Sequence, residues 1–181
     1  KTYQAWDGVP EEILEEDRQY NGIGRYVTED GEVKYYDNET DNYDQTHYQL
    51  HYSRELTGWL NMNSALHYTR GIGYYEQYKE DSDFADYGLN AISIGTDTTI
   101  SQTDLIRRKW LDNHFYGAVF SLHASGRNFN STFGAGWNHY DGDHYGTLIW
   151  ARFAAESEIN DRWYENKGVK TDFHSFLKMN Y

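Results

Sequence analysis

The chain has 181 residues, a formal net charge of −13 and a mean hydropathy of −0.93, with 38% hydrophobic and 18% aromatic residues. Such acidity argues against nucleic acid as a partner, since phosphates demand a basic face. There is no run of about 18 apolar residues for a transmembrane helix, and the lack of cysteine excludes a disulfide scaffold and thiolate metal sites.

Leu, Ile and Val, the usual core of a soluble domain, are sparse beside 18 Tyr, six Trp and 16 Gly. That composition suits a surface that is half wet, either a binding surface or a barrel wall. No basic, apolar and small-residue leader marks the N-terminus as a signal peptide. The acidity is local: residues 1–43 hold 12 acidic and four basic side chains, residues 71–105 hold seven and one, and the remainder is nearly neutral.

In chain order, 1–43 reads as a long polar loop, with one short helix expected over Val9–Arg18, opened by Pro10 after Asp7. The first strand, 44–56, sets Tyr48, Leu50 and Tyr52 against His47, Gln49 and His51 with period two. A tight break at Leu56-Thr57-Gly58 leads to a second strand, 59–70, with Leu60, Met62, Leu66 and Tyr68 opposite Asn61, Asn63, Ala65, His67 and Thr69. Residues 71–105 lack sustained periodicity and read as a loop, with a short strand near Leu89–Ile94.

A third strand, 114–125, places Tyr116, Ala118, Phe120, Leu122 and Ala124 on one face. After the short break Gly126-Arg127-Asn128, a fourth, 129–140, sets Phe129, Phe133, Ala135 and Trp137 against Asn130, Thr132, Gly134, Gly136 and Asn138. Residues 141–170 form a third long segment, strand-like at Thr147–Phe153. The last strand, 171–181, alternates Phe173, Leu177, Met179 and Tyr181 against His174, Lys178 and Asn180, with Phe176 as an exception on the polar side.

The connections run long, short, long, short, long. Outer-membrane barrels join antiparallel strands by short periplasmic turns and long external loops, so the expected fold is all-β: an antiparallel meander of about five long strands from a transmembrane β-barrel. An outward Leu, Met or Phe gains roughly 1.5–3 kcal/mol on leaving water, whereas Arg or Lys at the bilayer midplane costs roughly 2–4 kcal/mol. None of the five apolar faces carries a charge mid-run, and Trp59, Tyr68, Tyr116, Trp137 and Tyr181 fall toward strand ends or rims, as interfacial girdles do.

His47 and His51 are about 13 Å apart on a strand face, too far to clamp one ion, and read as polar wall residues. The acidic clusters Asp81-Ser82-Asp83, Asp141-Gly142-Asp143 and Asp37–Asp41 offer oxygen ligands for Ca²⁺, but solvated turns are the preferred reading. No nucleophile, His and orienting acid are coupled at a strand end, so no catalytic residue, metal site or cofactor is expected. The loop aromatics Tyr74, Tyr75, Tyr78, Trp150 and Phe153 are the candidate ligand-binding residues, through stacking on a sugar or chelate ring; packing the loops together is their other, preferred role.

The stretches LHYTRGIGYYEQYKEDSDFADYGL (66–89), TDLIRRKWLDNHFYGAVFSL (103–122), AGWNHYDGDHYGTLIWAR (135–152), AWDGVP (5–10) and YYDNETDNYDQTHYQL (35–50) resemble the barrel region of TonB-dependent receptors from Bacteroides-type bacteria. The resemblance implies a 22-stranded barrel with an internal plug in the outer membrane of a Gram-negative bacterium. Energised by the TonB system through that plug, such a barrel imports a scarce nutrient: an iron chelate, cobalamin or a glycan. The plug and most of the barrel are absent from these 181 residues and the last strand has no following turn, so the chain is expected to be a receptor fragment whose partners are outer-membrane lipid and a small nutrient ligand. Alone, it is expected to self-associate through strand edges. The competing reading is a soluble carbohydrate-binding β-module with an aromatic platform.

Overall fold

The computed structural model describes residues 8–181. The architecture is all-β, and among the described residues there is no α-helix. In place of the expected Val9–Arg18 helix stands a single 3₁₀ turn, Glu11–Ile13, entered from Pro10; Asp7 lies outside the described residues. Like charges spaced four apart (Glu11 and Glu15, Glu12 and Glu16) repel along a helix face, so propagation beyond one turn is disfavoured.

A small hairpin follows, β1 (Arg25–Val27) pairing antiparallel with β2 (Val33–Tyr35). Then come β3 (Asp41–Thr57), β4 (Leu60–Asp83), a 3₁₀ turn at Phe84–Tyr87 closed by Gly88 at φ 67°, and a second small hairpin of β5 (Ile92–Ile94) and β6 (Thr98–Ile100). The long strands β7 (Gln102–Ser125), β8 (Asn130–Ala151) and β9 (Arg162–Asn180) complete the chain. One antiparallel five-stranded sheet holds them in the order β3-β4-β7-β8-β9. Consecutive long strands are neighbours, as in a meander, and residues 58–59 and 126–129 form the short connections while 84–101 and 152–161 form the long ones.

The strands outrun the sequence expectation. β4 continues through 71–83, β7 begins at Gln102, and β8 runs on to Ala151, so Asp141-Gly142-Asp143 lies inside a strand and is not a turn. Asp81 and Asp83 likewise end β4, and Asp41 opens β3. The reason is physical. Alternation reveals a strand only where one face is apolar, and in these extensions both faces carry aromatic and charged side chains that pair with the next strand.

The chain divides into two compact units. One comprises the described part of 1–43 with 73–110 and 145–165; the other comprises 44–72, 111–144 and 166–181. In the first, Tyr87, Leu105 and Leu148 form a small core flanked by Leu89, Ala151 and Trp163. The large hydrophobic residues that are buried, Ile23, Phe84, Tyr87, Leu105 and Leu148, all belong to this unit; among the described residues the second unit has none.

Candidate functional site

In the second unit, side-chain contacts fix which residues share a face. Tyr48 stacks on Tyr68 at 6.0 Å, Tyr68 stacks on His114 at 5.9 Å, and its hydroxyl is hydrogen-bonded to His114 Nδ1 at 2.7 Å. Tyr116 meets Trp137 at 6.0 Å and His139 at 5.1 Å, and His139 Nδ1 is hydrogen-bonded to Thr171 at 2.8 Å. These contacts join all five strands in one row of aromatic and imidazole rings. Of the five rim aromatics anticipated, Tyr68, Tyr116 and Trp137 belong to this row, whereas Trp59 sits at the β3–β4 turn and Tyr181 ends the chain.

On one side of the ring row, still on the same face, lies a row of charges. Arg70 pairs with Asp112 at 2.6 Å, and Lys167 pairs with Asp141 at 2.7 Å. On the other side the face is apolar and bare: Leu50 is 65% exposed, Leu66 56%, Phe173 69%, Leu177 63% and Met179 69%. The next charge on this face of β3 is Arg54, opposite Met62 in the register that the Tyr48–Tyr68 and Ser53–Asn63 pairs define. From Met62 to Arg70 is eight residues, roughly 26 Å along the strand.

The opposite face of this unit is polar and tightly fitted. His47 bonds Thr69, Ser53 bonds Asn63, and His123 bonds Thr132 across adjacent strands. His67 Nε2 donates to Asn138 Oδ1 at 3.0 Å, passing over Gly117 of the intervening β7. A Cβ on Gly117 would lie 2.7 Å from both bonded atoms, so only glycine fits beneath the bridge. Phe176, the apolar exception of β9, lies with its ring against Gly134, and His174 lies against Gly136, where missing side chains make room.

The first unit carries a different kind of chemistry. Glu76 is only 2% exposed yet stays ionised, because Tyr36 and Asn38 donate to Oε1 and Arg108 Nε donates to Oε2 at 2.6 Å. Burial pushes its carboxyl up, but these hydrogen bonds outweigh burial and hold it below the usual carboxylate range. Burial and the Glu76 carboxylate push the Tyr36 phenol up to about 12. The knot ties the segment after β2 onto β4, so it is a structural anchor.

The five aromatics singled out from the sequence do not form one platform. Tyr74 packs on Trp110 at 4.5 Å beneath the Arg108 guanidinium. Tyr78 lies 4.7 Å from Tyr26 and donates to Asp104 at 3.1 Å; burial and that carboxylate push its phenol up to about 12. Tyr75 faces Lys109 at 5.9 Å. Trp150 and Phe153 are 45% and 39% exposed, and Phe153 is tethered through its backbone N–H to Thr103 Oγ1.

A cluster that the sequence reading passed over lies around Arg107 and Lys109. Arg107 donates from Nε and Nη2 to Gln77 Oε1 and from Nη1 to the Tyr87 hydroxyl at 3.0 Å. Arg107 and Lys109 lie 5.7 and 5.9 Å from the Trp163 ring. Burial, then the charges of Arg107 and Lys79, pull the Lys109 ammonium below its ordinary value. The RRK run at 107–109 is the available signal; it falls between the 71–105 loop and the 114–125 strand expected from the sequence, where nothing shows that alternate members share a face.

Two hollows also open in this unit. One of about 450 Å³ is lined by Glu29, Asp30, Glu80, Asp81 and Asp104, with Arg152 paired to Glu29 at 2.7 Å. Another of about 320 Å³ lies beside Tyr87, Trp163, Glu156 and Asp161. Among the described residues no three His, Asp or Glu side chains converge to hold a metal ion. The comparisons with known proteins return no match: no family model, no curated protein and no solved structure aligns with the chain.

Proposed function

We propose that the chain is part of the wall and outer rim of a transmembrane β-barrel in the outer membrane of a Gram-negative bacterium, of the TonB-dependent receptor type. Its work is to pass a scarce small nutrient and to present loops to it, without catalysis. Lipid contacts the wall, and the TonB system acts through a plug elsewhere in the receptor. The motif resemblance at 66–89, 103–122 and 135–152 supports the choice of receptor type.

One observation carries the membrane reading: the second unit leaves its apolar face bare and has no large hydrophobic residue buried among those described. About ten side chains exposing on the order of 100 Å² each make a patch on the order of 1,000 Å², well above the few hundred of soluble monomers. At about 25 cal/mol per Å², covering it with hydrocarbon is worth on the order of 25 kcal/mol, more than the roughly 5–15 kcal/mol net stability of a typical domain. A soluble carbohydrate-binding module has no means of tolerating such a face in water without a second layer over it.

The limits of the patch agree with a bilayer. Tilted by about 40°, the roughly 26 Å between Arg54 and the charge row spans about 20 Å, close to the apolar band of outer-membrane barrels. Rings at one edge and charges beyond them are what an interface selects. Fractionation of the native protein tests the reading: it should sediment with outer membranes and need detergent for release. Recovery in the detergent-free soluble fraction would overturn it.

A further inference from the structure

Among the described residues no carboxylate forms an ion pair with the cationic cluster in the first unit. In a chain with 29 acidic and 16 basic side chains, Lys79, Arg107 and Lys109 make no ion pair within 4 Å among the described residues. The charges of Asp41 and Glu39 act on the Tyr75 phenol. Arg107 and Lys109 are two apart on β7, hence about 7 Å from each other on one face. Among the described residues, Gln77 and Tyr87 use three of the five guanidinium N–H groups of Arg107, and the Lys109 ammonium lies near the Tyr75 and Trp163 rings with no hydrogen-bond acceptor.

We propose that Arg107 and Lys109 bind a ring-bearing carboxylate, an acidic sugar, with Tyr75 and Trp163 as its walls. The two cations supply donors spaced to straddle a carboxylate, the partner that the described residues do not give them. The rings supply apolar faces against which a pyranose lies. Half-burial raises the worth of each charged contact. The cluster stands on the geometry of one unit; the receptor reading is needed only for calling the bound sugar cargo.

The test titrates D-glucuronate, D-glucose and inorganic sulfate into the native protein in detergent micelles, followed by calorimetry and tryptophan fluorescence. Glucuronate should bind saturably, about tenfold or more tighter than glucose, and Lys109→Gln or Arg107→Gln should each weaken it about tenfold. Sulfate should bind more weakly than glucuronate, because it leaves the rings uncovered. Equal binding of glucuronate and glucose, sulfate matching glucuronate, or unaltered affinity in assembled variants would each overturn the proposal. Where a variant fails to assemble, the glucuronate–glucose comparison on the native protein decides alone. Membrane fractionation is a separate readout, so a membrane-bound protein that ignores glucuronate defeats this inference and leaves the barrel reading standing.

Discussion

Replacing Leu66 by Arg separates a lipid-facing wall from a soluble sheet. Leu66 is 56% exposed and lies four residues from Arg70, roughly 13 Å along β4 and about 10 Å below the charge row once the strand is tilted. That places it near the middle of an apolar band about 25 Å tall, where an added Arg costs roughly 2–4 kcal/mol. At 1.4 kcal/mol per factor of ten, the ratio of assembled to unassembled protein falls by about 30-fold to nearly 1,000-fold. In water the same exchange at an exposed site changes stability by about 0.5 kcal/mol or less. The assay is denaturant titration of the native protein in lipid vesicles, with Asn63→Arg on the polar face as the control. Equal midpoints for the two variants would refute the assignment of the faces.

Glu76→Gln should cost about 2–3 kcal/mol, less than a fully buried pair because Arg108 keeps some contact with water, and should appear in hydrogen exchange as lost protection from Ile23 to Asn38. Because the folded Glu76 value is lowered, its contribution is present above its ordinary value near 4.5 and is lost as pH falls through the folded value; acid titration of the same amides reads this. Tyr36 has the opposite sign: its neutral form is favoured, so its contribution is complete below about 10 and is lost as pH rises through about 12, a loss that Tyr36→Phe should abolish in alkaline titrations. Gly117→Ala should destabilise assembly by about 1–3 kcal/mol in denaturant titration, since the added Cβ collides with backbone as well as with the His67–Asn138 bridge. The 181-residue chain alone in water should sediment as oligomers through the outer edges of β3 and β9, and a dilute monomer would count against this.

What could be read from the sequence follows from where burial is one-sided. In 44–56, 59–70, 114–125, 129–140 and 171–181 one face is apolar and the other polar, so period two is visible and five strands can be read there. Even the Phe176 exception was noted, though its partner Gly134 required the fold. In the extensions the signal vanishes: Tyr74, Glu76, Arg108 and Trp110 share contacts on one side, and Tyr75, Gln77, Arg107 and Lys109 on the other. Neither face is apolar, so continuous strands looked like loops. The Arg107–Lys109 cluster was hidden for the same reason, since it needs residues from β4, β7 and β9 to coincide. The Glu76 knot joins residues 32 to 40 positions apart, a distance no local pattern spans.

The His67–Asn138 bridge has a bearing on how the sheet is built. Along its face of β7 the residues run Phe115, Gly117, Val119, Ser121 and His123, and only Gly117 leaves space beneath the bridge. A two-residue slip of β7 in either direction would thrust Phe115 or Val119 into that space, and a one-residue slip would turn the face over. A single missing side chain therefore works as a gauge for three strands at once, admitting β4, β7 and β8 in one alignment and rejecting the neighbouring ones during assembly.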